Sequence, residues 1–388
     1  MKIKKVFGKI TLIFRNIILV NKMIVSLTVF LFIFSHFILL KFGTYSYIFV
    51  LALLNFMLMH KYIYIIKTLP KIFFVPIILL LGIILLSLLV HINEFFSGTV
   101  FFALFSPLLL LITYWIFKQE PILVNNVALF VLILYYIFIF VSGLTTGFSP
   151  QDINNYFDNY SRNAVSGMAI ILQIFYTATY FRLNKSVPLI TPNITFLISV
   201  LSYGRSGIGL AFIIVLLSYF IKFLQVKKIM KLIYLALLVL FLIFIILNIN
   251  IISDFILSKT NFISGFESAR SLINNAYLSR LDLETFFTGM DLSKISIIEF
   301  YDNNPHNSYI NGHAHFGILY LLFILFFLAG STYLFLIYKN TFLYYILILV
   351  YLVRYSLDTS ALFGPSDYIL FYLFFCLYEP HLKYLEKT

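Results

Sequence analysis

The chain has 388 residues, of which 62% are hydrophobic and only 11% charged, and its net charge is +12. A soluble domain carries about 25% charged residues, so the composition excludes an ordinary soluble enzyme and points to an integral membrane protein. In a soluble chain the basic excess would suggest nucleic acid. Here it reads as basic residues retained in cytoplasmic loops, and no nucleic-acid partner is expected. A single cysteine, Cys376, excludes an internal disulfide and a cysteine-based metal site.

Apolar runs near the ~20 residues that cross a bilayer core predict about twelve helices. In chain order they are Met23–Leu40, Tyr45–Ile66, Ile72–His91, Gly98–Phe117, Ile122–Ser142, Ala164–Phe181, Val187–Tyr203, Ser206–Phe223, Lys231–Leu247, Ala314–Tyr338, Thr341–Leu357 and Ser366–Tyr378. Pro192 interrupts the seventh, and the last is short. The first run is read as a span rather than a cleavable signal, because similar runs follow it and no small-residue cleavage pattern appears. Alternate loops counted from the N-terminus hold 19 of the 27 basic residues, which places that side and both termini in the cytoplasm. The expectation is an all-α polytopic protein of the cell inner membrane, residues 1–388 forming one transmembrane domain. Two polar segments, 143–163 and 249–313, fall on the extracytoplasmic side. The longer exceeds what a connection needs, and its apolar residues recur at helical spacing through Phe266–Phe287, so it is expected to be folded.

The basic residues also sort by type. The cytoplasmic set is 17 Lys and 2 Arg, whereas the outer set is 3 Lys and 5 Arg: Arg162, Arg205, Arg270, Arg280 and Arg354. A guanidinium is a planar donor fork that matches phosphate bidentately, so this excess argues for an anionic, phosphorylated ligand at the outer face. Arg162 and Arg205 stand where the sixth and eighth helices begin, at the positive end of the macrodipole. Interfacial anchoring, or pairing with Asp152 or Asp158, is the simpler alternative for both. Arg270 can pair with Glu267, Arg280 lies close to Asp282 and Glu284, and Arg354 has Asp358 one turn ahead. Each of these three is open to a purely structural role.

The richest segment is Asn303–Gly317, which holds three of the seven histidines, His306, His313 and His315. The i,i+2 spacing of the last two does not share a helical face and no HExxH pattern is present, so a metal site is not expected. Acid–base chemistry and a polar interfacial turn are the two readings that stand.

The stretch His306-Asn307, nine residues, Gly317, two residues, Tyr320 resembles the signature of the O-antigen polymerase and O-antigen ligase superfamily, membrane glycosyltransferases of the C type. Three further features are similar: Ser202-Tyr203-Gly204-Arg205-Ser206-Gly207 resembles the family's Ser-Arg-Ser-Gly turn with Tyr203 and Gly204 inserted, Arg162-Asn163 precedes a helix, and a large outer loop ends in the histidine motif. The resemblance spans about Arg162–Tyr320, and it leaves open whether Arg270 or Arg280 matches the family's loop arginine. It implies a GT-C-like fold and transfer of glycan from undecaprenyl pyrophosphate to a sugar hydroxyl at the extracytoplasmic face, without a metal or other cofactor. In that scheme His306 is the catalytic base, Arg162, Arg205, Arg270 and Arg280 bind the pyrophosphate, and Asn307, His313, His315 and Arg354 support them. The implied partners are the lipid-linked oligosaccharide and membrane lipid, with room for a flippase and a chain-length regulator of the same pathway. A polymerase of surface polysaccharide, O-antigen or capsule, is the favoured member. The alternatives are a ligase onto lipid A core or protein, and a polysaccharide flippase.

Overall fold

The computed structural model describes residues 2–90, 98–157, 161–232, 234, 243, 247, 269–301, 303–357 and 363–385, with side chains considered for 20–85, 100, 102–157, 161–232, 234, 243, 247, 270–301, 303–357 and 363–383. Every regular element among them is helical. In chain order they are α1 (Lys2–Leu58), α2 (Tyr62–Thr68), α3 (Phe74–Val90), α4 (Gly98–Phe117), α5 (Pro121–Thr146), α6 (Pro150–Asn154), α7 (Arg162–Asn184), α8 (Ile190–Leu201) and α9 (Arg205–Gln225). After the undescribed stretch come α10 (Ala269–Leu278), α11 (Leu283–Thr288), α12 (Ser296–Glu299), α13 (Ser308–Ile337), α14 (Phe342–Tyr355) and α15 (Asp367–Leu385).

Five stretches are long and apolar enough to cross a membrane: Val20–Thr68, α5, α7, α9 and α13. Lys71–Leu85, Phe102–Phe117 and α8 are shorter apolar helices. The chain is therefore an all-α protein with membrane-embedded helices. Backbone polar groups in lipid must be satisfied within the segment, which is why runs this apolar fold as helices.

Several boundaries differ from those read in the sequence. α1 begins at Lys2, earlier than the first expected helix, while its break at Gly43 (φ 80°, ψ −179°) falls between the first two expected helices, in a conformation open to glycine. Pro192 does not interrupt a helix. It lies in the first turn of α8, where a missing N–H costs nothing. The expected helix over 231–247 lies mostly outside the described residues. The helical spacing read through Phe266–Phe287 is carried, among the described residues, by two helices, because Asp282 caps α11 by accepting from Thr285 N at 2.8 Å and so starts a new helix.

α7 and α15 form the centre. Residues 165–179 of α7 and 363–378 around α15 are continuously buried, and Phe175 packs against Tyr368 and Tyr372 with ring centroids 5.5 and 4.8 Å apart. Around them α7 packs on α5, α8, α9 and α14, while α15 packs on α4 and α14. Some polar side chains of this core bond to one another: Gln173 Nε2 donates to Thr177 Oγ1 at 2.8 Å, and the Tyr136 hydroxyl lies 2.7 Å from Thr195 Oγ1. At the C-terminal end of α7, Arg182 pairs with Glu379 at 3.1 Å and donates to the Phe117 carbonyl at 2.7 Å, tying α4, α7 and α15 together. The segment from Ala269 to the start of α13 has its own small core of Ile273, Tyr277, Leu292, Ile295, Ile298, Ile310 and Ala314, so the described part of the long polar segment is folded, as expected.

Candidate functional site

Glycines assemble the arginine-bearing end of the bundle. α8 leads into α9 through Ser202, Tyr203 and Gly204, and Tyr203 takes the left-handed conformation (φ 55°). Gly204 is the N-cap and Arg205 the first residue of α9. The two residues inserted relative to the family turn are thus the turn itself. A Cβ on Gly207 would lie 2.6 Å from Ser166 Cβ, and one on Gly204 would lie 2.6 Å from Asn163 Oδ1. These contacts set the first turns of α7 and α9 side by side. Arg162 and Arg205, each the first residue of its helix, therefore start neighbouring helices at one end of the bundle.

Arg354 joins them. It is 2% exposed, its Nη2 donates to the Asn163 carbonyl at 3.3 Å, and a Cβ on Gly167 would lie 2.6 Å from that nitrogen. Arg162, Arg205 and Arg354 thus lie at one end of the bundle, around two helix N-termini whose amides and macrodipoles already favour negative charge. Arg162 N–H donates to Asn154 Oδ1 at 2.9 Å, which ties the α6 loop to the same end. Asp152 completes a capping box with Ser149, which holds its carboxyl below the usual aspartate range. Asp158, Glu267 and Asp358, weighed above as arginine partners, lie outside the described residues.

The histidine segment has a structural logic that its spacing did not reveal. Asn307 caps α13, accepting from Tyr309 N at 2.9 Å and Ile310 N at 3.4 Å. Ten residues on, Gly317 (φ 56°, ψ −142°) breaks the helix, and any Cβ there would collide with the Phe287 carbonyl. Tyr320 then folds back over Gly312 and donates to the Ser308 carbonyl at 2.7 Å. Asn307, Gly317 and Tyr320 are therefore cap, kink and clasp of one short helical segment. His306, in front of the cap, takes the left-handed conformation (φ 49°), is half-buried and packs edge-on against Tyr301 with centroids 5.7 Å apart. Its N–H donates to Asn304 Oδ1 at 2.9 Å.

The remaining sequence candidates separate. His313 is 4% exposed, with Nδ1 2.6 Å from the Tyr277 hydroxyl and Nε2 3.0 Å from the Phe286 carbonyl. A neutral ring that donates through Nε2 and accepts through Nδ1 satisfies both contacts, so His313 clips α10 and α11 to α13. His315 Nδ1 lies 2.8 Å from the Asn311 carbonyl one turn back. Arg280 is exposed and its guanidinium donates to the Lys294 carbonyl. Arg270 is half-buried and sits one turn before Asn274, whose Oδ1 accepts from Asn307 Nδ2 at 3.4 Å. Residues four apart share a helix face, so Arg270 is on the face of α10 turned to the histidine turn.

The two constellations meet through α14. Tyr309 donates its hydroxyl to the Leu352 carbonyl at 3.0 Å, two residues before Arg354. Asn163, Asn274 and Tyr309 are the connecting residues; Asn163 and Tyr309 lie within segments the sequence had singled out, and Asn274 carried no signal there. A buried carboxylate was also missed: Asp367, 1% exposed, accepts from the Tyr351 hydroxyl at 3.1 Å and from Gly364 N at 3.0 Å, at the N-terminus of α15. Among the described residues, no group of three or more His, Cys, Asp or Glu side chains could hold a metal ion. Compared with known proteins, the chain matches no family model, no curated protein and no solved structure.

Proposed function

We propose that the chain is a membrane glycosyltransferase that polymerises a surface polysaccharide, moving glycan from undecaprenyl pyrophosphate onto the terminal sugar hydroxyl of another lipid-linked repeat. The single observation that carries this reading is the set of three arginines at the adjoining starts of α7 and α9: Arg162, Arg205 and Arg354. In this reading the chain crosses the inner membrane about a dozen times with both termini in the cytoplasm, and the arginine end faces outward.

The chemistry needs little else. The acceptor oxygen attacks the anomeric carbon, its proton passes to the His306 imidazole, and the bond from that carbon to the pyrophosphate oxygen breaks. The leaving undecaprenyl pyrophosphate gains negative charge, and preorganised donors aimed at it stabilise the transition state more than the ground state. Arg162 and Arg205 are assigned to the pyrophosphate. Arg354, held against the Asn163 carbonyl, adds to the same field. Of the two loop arginines, Arg270 is preferred over Arg280, because Arg280 is engaged with the Lys294 carbonyl on an exposed surface. Asn307 acts on His306 through the backbone, as the cap that fixes where the turn ends.

The test is a reconstituted reaction: purified protein in detergent, lipid-linked repeat units, and chromatography of the glycan. Polymer is expected from the unaltered chain, with loss of at least about 100-fold in His306→Ala, the lower end of the usual contribution of a general base. Arg205→Lys is expected to fall short of the unaltered chain, because a lysine keeps the charge and loses the fork. Undiminished polymer from His306→Ala overturns the base assignment. Glycan that appears only on added lipid A core or protein makes the chain a ligase.

A further inference from the structure

α11 presents an apolar face that the protein does not cover. Leu283, Phe286 and Phe287 stand at i, i+3 and i+4, one face of a helix, and they are 78%, 37% and 53% exposed. Glu284, Thr285 and Thr288 hold the opposite positions. The height of this face is set by α13. The Phe287 carbonyl lies where a Gly317 Cβ would be, and Met290 N donates to the Ala314 carbonyl at 2.9 Å. The straight part of α13 runs from Gly317 to Ile337, which at ~1.5 Å per residue matches the ~30 Å hydrocarbon core. Gly317 therefore stands at a hydrocarbon boundary, and the end of α11 stands beside it. Aromatic and aliphatic side chains at that level partition into the interface.

We infer that α11 is an interfacial anchor: Leu283, Phe286 and Phe287 insert into the lipid leaflet at the Gly317 end of α13. Its consequence is positional. His313 bonds the Phe286 carbonyl, so an anchored α11 holds the start of α13, and with it the His306 turn, at a constant height above the lipid. The inference depends on the chain being membrane-embedded and not on the reaction proposed above.

The experiment is spin-label depth measurement on the full chain in lipid nanodiscs. Cys376 is buried, so a nitroxide attaches to an introduced cysteine. With Phe287→Cys, and independently with Leu283→Cys, the oxygen-to-nickel-chelate accessibility ratio is expected to exceed several-fold that of Ser293→Cys, an exposed position on the polar side of the same segment. A label more accessible to the nickel chelate places α11 in water and overturns the inference. A label shielded from both reagents places another protein surface over it and overturns it equally. Because Phe287 and Leu283 are both exposed, one variant remains informative if the other fails to fold.

Discussion

The arginine end of the bundle and the histidine segment are built by different physics. Around Arg162, Arg205 and Arg354, backbones approach until Gly207 touches Ser166 and Gly204 touches Asn163. Around His306, a chain of hydrogen bonds does the work: Asn307 to two amides, Tyr320 to Ser308, His313 to Tyr277 and Phe286. Close packing is unforgiving, because a single added methyl has nowhere to go. A hydrogen-bonded clip fails one bond at a time. The first arrangement suits a charge site that must stay fixed, and the second suits a turn whose position is set by its caps.

The largest effect should come from breaking the packed region. Gly207→Ala is expected to destabilise by about 1–3 kcal/mol, the usual cost of overpacking, with a matching drop in thermal unfolding temperature and loss of polymer. Adding Ser166→Gly, which removes the atoms the methyl strikes, should restore most of both. A Gly207→Ala chain as stable as the original would mean that α7 and α9 are not in contact there.

A smaller effect is expected in the clipped region. Asn307→Ala should cost about 1 kcal/mol, the worth of an N-cap, while Asn307→Asp keeps an acceptor for the α13 amides and should remain close to the original. Equal stability of the Ala and Asp variants in denaturant titration would remove the capping role. If polymer formation follows stability in this pair, Asn307 acts through the backbone; if Asp is stable yet inactive, its amide matters through Asn274.

The smallest effect is at α11. Thr285 hydrogen bonds hold the Asp282 carboxyl below the ordinary aspartate range. A depressed folded pKa means that the cap contributes above the unfolded value of about 3.9 and is lost as pH falls through the lower folded value. Hydrogen exchange of the α11 amides, corrected for intrinsic pH dependence, should rise across that window. In Asp282→Asn, whose cap does not titrate, the rise should be absent.

Much of the bundle was legible because lipid leaves few choices. Runs such as 122–142, 164–181 and 206–223 appear as α5, α7 and α9 with ends shifted by a few residues. One expectation failed where a local device overrides hydropathy. Pro192 opens a helix instead of interrupting one, whereas the break at Gly43 lies between the first two expected helices. At the candidate site, residue types were readable and their relations were not. The gathering of arginines in the loops opposite the lysine-rich ones is an expectation read from the sequence, whereas the distinction between Arg270 and Arg280 depends on Asn274 and Lys294.

The chain's apolar runs and its arginines at helix starts are properties of the sequence alone, and they determine helices and helix ends that favour anions. Their physical reasons are local: desolvated backbone must bond to itself, and a helix N-terminus carries positive potential. The tertiary structure decided which helix ends adjoin, that Arg354 reaches the start of α7, and that His313 is a clip. Those relations depend on contacts between residues far apart in the chain, Gly207 with Ser166 and Arg354 with Asn163, which no local pattern encodes.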